Sequence, residues 1–267
     1  MDENKLSHLI KAKRSFLCVG LDTDIRRVPK HLQNEFDPVF EFNKRIINAT
    51  RDYAVAYKLN TAFYEARGVE GWRSFERTFN ILPNECLLIC DGKRSDIGNT
   101  AEQYATAYYE TFPFHGQTIN PYLGLDAVKP YLNVFEKWGF VLALTSNPGA
   151  RDFQCFKDAN GRRLFEKVIE DLQAEKHKGI LGFVIGATHK EEIQNIRKLI
   201  PDKFLLLPGI GIQGGDMETC LKHTVNHQGG VLINVSRAIL YAGTEKDFEA
   251  KAETIAEEYV NMMQAYV

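Results

Sequence analysis

The stretch Cys90-Asp91-Gly92-Lys93-Arg94-Ser95-Asp96-Ile97-Gly98-Asn99-Thr100 gathers ionisable groups where an apolar run ends. That run, Glu85 to Cys90, has the length and composition of a buried parallel strand. Side chains alternate along an extended segment, so Asp91 and Lys93, two apart, project to the same side. A lysine beside a carboxylate keeps its charge, and a fixed ammonium can stabilise developing negative charge and then deliver a proton. Asp96, three residues on at the entry to the helical pattern around Ala101 to Ala105, supplies a second carboxylate on a different stalk. The same spacing also fits a solvated strand end with a surface salt bridge, which contributes little.

Composition limits what such a site serves. A chain of 267 residues with 44% hydrophobic content can bury a large core. A net charge of -2 gives no electrostatic footprint for nucleic acid or an anionic membrane. No apolar run approaches the ~20 residues of a membrane span, and Met1 to Lys5 is acidic with no apolar signal core behind it, so a cytoplasmic protein acting on a small molecule is expected. The five cysteines form no Cys-x-x-Cys and read as free thiols in a reducing compartment.

Short apolar runs alternate with amphipathic stretches along the whole chain. Ser15 to Asp22 predicts the first strand, and Asp37-Pro38 opens a helix to about Asp52 with an aspartate cap and a first-turn proline. Tyr53 to Asn60 and the run before Asp91 predict strands two and three. Gly116 to Asn120, Gly139 to Thr145, Gly179 to Ile185, Phe204 to Leu207 and Gly230 to Asn234 predict the remaining five. Eight strand-then-helix units match one (β/α)₈ TIM barrel over residues 1–267 better than a doubly wound sheet, the structural alternative. Barrel sites form where strands end, and Asp22, Lys58, Asp91, Lys93 and Ser146 all fall there.

The last two loops carry a second signal. Pro208-Gly209-Ile210-Gly211-Ile212-Gln213-Gly214-Gly215-Asp216 follows strand seven, and Ser236-Arg237 follows strand eight. Glycines let backbone N–H groups approach an anion, and Arg237 can fork two hydrogen bonds to phosphate oxygens. Turns also require glycine, so the loop alone does not decide the matter.

Taken together, Asp22, Lys58, Asp91-x-Lys93-x-x-Asp96, Ser146-Asn147-Pro148-Gly149-Ala150, Pro208 to Asp216 and Ser236-Arg237 resemble the orotidine 5′-monophosphate decarboxylase family, in order and on the right loops. Asn120-Pro121-Tyr122-Leu123-Gly124 and the Ser-Asn-Pro-Gly form resemble its longer-chain branch. The resemblance implies conversion of orotidine 5′-monophosphate to UMP and CO₂ in pyrimidine biosynthesis. It implies a charged array of Lys58, Asp91, Lys93 and Asp96, in a homodimer whose Asp96, Ile97 and Thr100 reach the neighbouring subunit's site. Asp22 and Lys58 would hold ribose hydroxyls, Ser146 the pyrimidine, and Gln213 and Arg237 the phosphate, near Pro208. Ser236 stands where the compact branch has glycine, which leaves open which backbone N–H completes the phosphate site. Loss of CO₂ from C6 leaves an in-plane carbanion, stabilised electrostatically and protonated by Lys93; no metal or organic cofactor enters this scheme.

Two other functions fit the same residues. A hexulose-phosphate synthase-like aldolase uses a similar Asp-x-Lys-x-x-Asp strand end with Mg²⁺, although Ser146 and Gln213 argue against it. A non-catalytic nucleotide-phosphate binding barrel would retain buried charges without using them. His223 and His227, four apart on a predicted helix, lack a third ligand, so no metal site is expected. Trp72, Phe75 and Phe79 read as packing against the barrel, Tyr104 to Phe114 as core or dimer interface, and Phe153 and Phe156 as part of a mobile or buried loop.

Overall fold

The computed structural model describes residues 1–187, 190–210 and 215–267. Eight strands, β1 Leu17–Gly20, β2 Ala56–Asn60, β3 Leu87–Arg94, β4 Gly116–Ile119, β5 Trp138–Leu144, β6 Ile180–Ile185, β7 Leu205–Pro208 and β8 Val231–Val235, close into a barrel in sequential order. Every pairing is parallel, including β8 with β1, where Leu17 lies opposite Ile233. The strands are largely buried, so most of them read as near-continuous apolar runs rather than alternations, the polar exceptions falling mainly in β2, β4 and the C-terminal end of β3. The expected (β/α)₈ barrel is the observed fold.

A helix follows each strand: Pro38–Thr50, Gly68–Phe79, Gly98–Thr106, Leu125–Leu132, Leu164–Ala174, Lys190–Leu199, Gly215–Thr224 and Phe248–Met263. The first begins as its sequence dictates, with Asp37 accepting from the Phe40 N–H at 3.1 Å and Pro38 in the first turn. The last packs back onto it through Phe42 and Phe248, whose rings lie 5.2 Å apart. Phe75 is fully buried; Trp72, on the same helix as its spacing predicted, and Phe112 and Phe114 pack against it, while Phe79 packs on Phe114. Tyr108, Tyr109 and Phe114 are core residues, whereas Phe153 and Phe156 are exposed.

One further helix, Glu3–Lys13, precedes β1, in a stretch whose acids argue against a signal segment. Asp2 caps it by accepting from the Lys5 N–H at 2.8 Å, and Leu6 and Ile10 bury its inner face. It lies at the strand N-termini, where Trp138 Nε1 donates to the Met1 carbonyl at 2.7 Å. The helix thereby covers part of the end away from the predicted site.

His115, which precedes β4 at this end, accepts from the Leu88 N–H through Nδ1 at 3.0 Å. Burial, the N-terminal amine and Lys137 lower its pKa from 6.5 to about 4. The folded state therefore resists a proton that the unfolded chain takes up. The resulting stability is complete above pH about 6.5 and lost as pH falls toward about 4. Thermal melts across this range should show a steeper fall in Tm for the wild type than for His115→Gln; parallel curves would exclude His115 as the titrating group.

Candidate active site

The site is built around an irregularity in the barrel. Between β3 and β4, Cys90 pairs with Gln117 and the next pairing is Arg94 with Ile119, so the β3 chain bulges inward over Asp91, Gly92 and Lys93. Lys93 adopts φ +46°, a left-handed conformation uncommon for a residue with a side chain. Simple strand alternation predicted that Asp91 and Lys93 would share a side. They do, but the bulge and the left-handed turn bring them together.

Thr118 of β4 fixes that turn. Its Oγ1 accepts from the Lys93 N–H at 3.0 Å and donates to Asp91 Oδ1 at 2.8 Å, so one hydroxyl ties backbone and carboxylate together. Lys93 Nζ donates to Asp91 Oδ1 at 2.6 Å, and Lys58 Nζ, from β2, donates to Asp91 Oδ2 at 2.8 Å. Lys58 also reaches Asp22 Oδ1, beyond β1, at 3.2 Å. Acid and base thus alternate as Asp22, Lys58, Asp91, Lys93 across the ends of three neighbouring strands.

The two lysines differ in environment. The Lys58 side chain is 4% exposed and that of Lys93 46%. Burial works against charge on Lys58, but Asp22 and Asp91 together outweigh it and raise its pKa above the ordinary lysine value. Burial likewise works against ionised Asp91, and Lys58 and Lys93 outweigh it, holding the carboxyl well below the usual carboxylate range. Both stay ionised; both lysines line the cavity, and Lys93 is the more open of the two.

These groups line a cavity of about 520 Å³, within the range that holds small ligands. Leu142, Val184 and Leu206 supply its apolar surface, and Ser146 and Pro208 complete the far side. Of the predicted site residues, Asp22, Lys58, Asp91, Lys93, Ser146 and Pro208 line it. Asp96 and Thr100 do not: Asp96 Oδ1 accepts from the Ile97 N–H at 2.8 Å, and Thr100 is exposed on the helix after β3. Arg237 is exposed at the start of a short helix, Arg237–Leu240, behind Ser236, whose Oγ is buried without a partner among the described residues. Gln213 lies outside the described residues.

Sequence reasoning missed Asn60, Thr118, Gln154 and Asn234, all in the cavity wall. Asn60, Thr118 and Asn234 lie at or near strand C-termini, so a search for polar rather than only ionisable residues there would have found them. His227 falls three residues beyond the helix that ends at Thr224, so the two histidines do not share a helical face. Among the described residues no group of three or more His, Cys, Asp or Glu side chains could hold a metal. Four cysteines are buried and Cys155 half-buried, all as free thiols.

A model of the orotidine 5′-phosphate decarboxylase / HUMPS family matches residues 15–253. The chain belongs to this family. An orotidine 5′-phosphate decarboxylase of Bacteroides fragilis is 46% identical over 266 residues, covering 98% of this chain and 97% of its own. One from Porphyromonas gingivalis is 46% identical over 94% of this chain and 92% of its own. The solved structure of Leishmania donovani OMP decarboxylase superposes with a TM-score of 0.80 at 32% identity, covering 100% of both chains. The Pyrococcus horikoshii orotidine 5′-phosphate decarboxylase shares the fold at a TM-score of 0.63 and 23% identity, over 91% of this chain and 98% of its own. No described helix is long and apolar enough to cross a membrane.

The buried pair yields a stability test. Lys58→Met leaves the Asp22 and Asp91 carboxylates facing each other without their shared cation and should cost about 3–5 kcal/mol at pH 7. The depressed Asp91 carboxyl contributes stability above pH about 4 that is lost as pH falls below it. The wild-type advantage over Lys58→Met should therefore shrink between pH 7 and pH 3 in urea melts; a constant difference would mean that packing, not charge, sets the cost.

Proposed function

We propose that this chain converts orotidine 5′-monophosphate to UMP and CO₂, as one barrel domain over residues 1–267 working in a cytoplasmic homodimer. The alternation of Asp22, Lys58, Asp91 and Lys93 within 3.2 Å contacts, at the wall of a cavity sized for a small ligand, carries the reading. The names of the B. fragilis and P. gingivalis relatives support it.

The chemistry follows from the charges. Breaking the C6–carboxylate bond leaves its electron pair in the ring plane, out of reach of the π-system. The Lys93 ammonium faces that position, stabilises the developing charge and transfers its proton to C6 as CO₂ departs. Asp91 holds Lys93 on target without neutralising it, since its other oxygen is occupied by Lys58. Asp22 and Lys58 take the ribose hydroxyls, and Ser146 takes the pyrimidine edge. Gln213 and Arg237 take the phosphate, near Pro208 of the cavity wall.

Asp96 and Thr100 act in the partner's site. Support comes from their position: neither lines the cavity of its own chain, and exposed Ile97, Tyr122 and Leu123 put apolar surface on the neighbouring loops. Lys93 then gains a second carboxylate only when two chains associate.

Purified protein in excess EDTA should convert orotidine 5′-monophosphate to UMP, followed by absorbance. Lys93→Ala should lower kcat by about 10²–10⁴-fold, the scale of a lost proton donor. Activity that vanishes in chelator and returns with Mg²⁺ on a sugar phosphate would favour the aldolase instead. For the shared site, inactive Lys93→Ala and Asp96→Ala proteins should regain activity when mixed, because hybrid dimers contain one intact site. No recovery after confirmed subunit exchange would place each site within one chain.

A further inference from the structure

The loop after β5 carries Ser146, and the contacts that fix it come from a residue eight positions further on. Gln154 Oε1 accepts from the Thr145 N–H at 2.7 Å, and Gln154 Nε2 donates to Thr145 Oγ1 at 2.8 Å. Thr145 Oγ1 in turn donates to Asn147 Oδ1 at 2.6 Å, with a longer contact to Gln154 Oε1 at 3.2 Å, so carboxamide and hydroxyl link the residues on both sides of Ser146. The Gln154 main chain is itself anchored, because its carbonyl accepts from the Phe165 N–H at 3.0 Å at the start of the helix Leu164–Ala174.

Ser146 is confined from the opposite side as well. A Cβ on Gly186, just beyond β6, would lie 2.5 Å from the Ser146 backbone nitrogen, so only glycine allows the two loops to approach this closely. The Gly186 N–H donates to the Leu144 carbonyl at 2.6 Å, which draws the end of β6 against the end of β5. Ser146 is therefore held between a clamp at Thr145 and a surface at Gly186, although its own side chain is exposed to the cavity.

We propose that Gln154 is a positioning residue for the base-binding end of the site: it clamps Thr145 so that Ser146 meets the pyrimidine edge in register. The proposal rests on the nucleotide reading above, and specifically on Ser146 facing the base. Gln154 lines the cavity, yet both ends of its carboxamide are engaged by Thr145, so it acts through that residue. The ligand class affected is the heterocycle rather than the sugar phosphate, whose contacts come from β1, β2 and the loops after β7 and β8.

Because the clamp touches only one half of the ligand, two ligands separate positioning from general loosening. Titration calorimetry of UMP and of ribose 5-phosphate is compared across wild type, Gln154→Leu and Gln154→Glu, with melting temperatures recorded for each. Gln154→Leu should weaken UMP by about 10–100-fold, the scale of one or two lost hydrogen bonds, and leave ribose 5-phosphate within about 2-fold. Gln154→Glu keeps an acceptor for the Thr145 N–H and should recover most of the UMP affinity. Should Gln154→Leu fail to fold, Thr145→Val, which removes the hydroxyl that Gln154 Nε2 donates to, carries the same comparison, with UMP again the ligand that suffers. Parallel weakening of both ligands, or unchanged UMP binding, overturns the positioning role. A wild type that binds neither ligand instead defeats the nucleotide reading itself, and the proposal with it.

Discussion

Lys58 and Asp91 are both buried at the barrel mouth and neither is tolerable there alone. Each charge has been taken from water, and the penalty is offset only because the partner lies at 2.8 Å and further groups fill the remaining hydrogen-bonding capacity: Asp22 on one side, Lys93 and Thr118 on the other. This requirement constrains β1, β2, β3 and β4 at once. The bulge in β3 has the same origin, since a regular strand would not deliver the Asp91 carboxylate and the Lys93 backbone to the same Thr118 hydroxyl.

That constraint divides the site into a rigid and an adjustable half. Strand residues on the β1 to β4 side are mutually locked by ionic and hydrogen-bonding contacts. On the other side the wall consists of apolar strand residues and of loops tied down by single side chains such as Gln154. A ligand entering such a cavity meets preorganised charge at one wall and shape at the other, which suits a reaction whose difficulty is electrostatic.

Much of this was legible in the sequence, for identifiable reasons. Most strands announced themselves because each is covered on both faces and so is dominated by apolar residues, and the Asp37-Pro38 cap marked the start of its helix. Asp22, Lys58, Asp91 and Lys93 stood out as ionisable residues ending apolar runs. What stayed hidden depends on three-dimensional register. The shift between β3 and β4 leaves no mark on residue types, and Thr118 looks like any threonine in a strand until its two partners are known. The helix Glu3–Lys13 escaped notice because its signals are short-range and its acids had another explanation. The failed pairing of His223 with His227 is a boundary error, since the helix stops at Thr224.

The pairing of β8 with β1 has a consequence for how the protein comes into being. Leu17 and Ile233 are neighbours in space but separated by nearly the whole chain, so during synthesis β1 waits with one edge bare until β8 leaves the ribosome. Until then the partly built sheet presents two open, apolar edges that can template association with other nascent chains. A message truncated anywhere before β8 yields a chain that cannot close, whatever its complement of charged residues. Closure of the barrel thus waits on a strand near the end of the chain, and the helix Phe248–Met263 is added only after it.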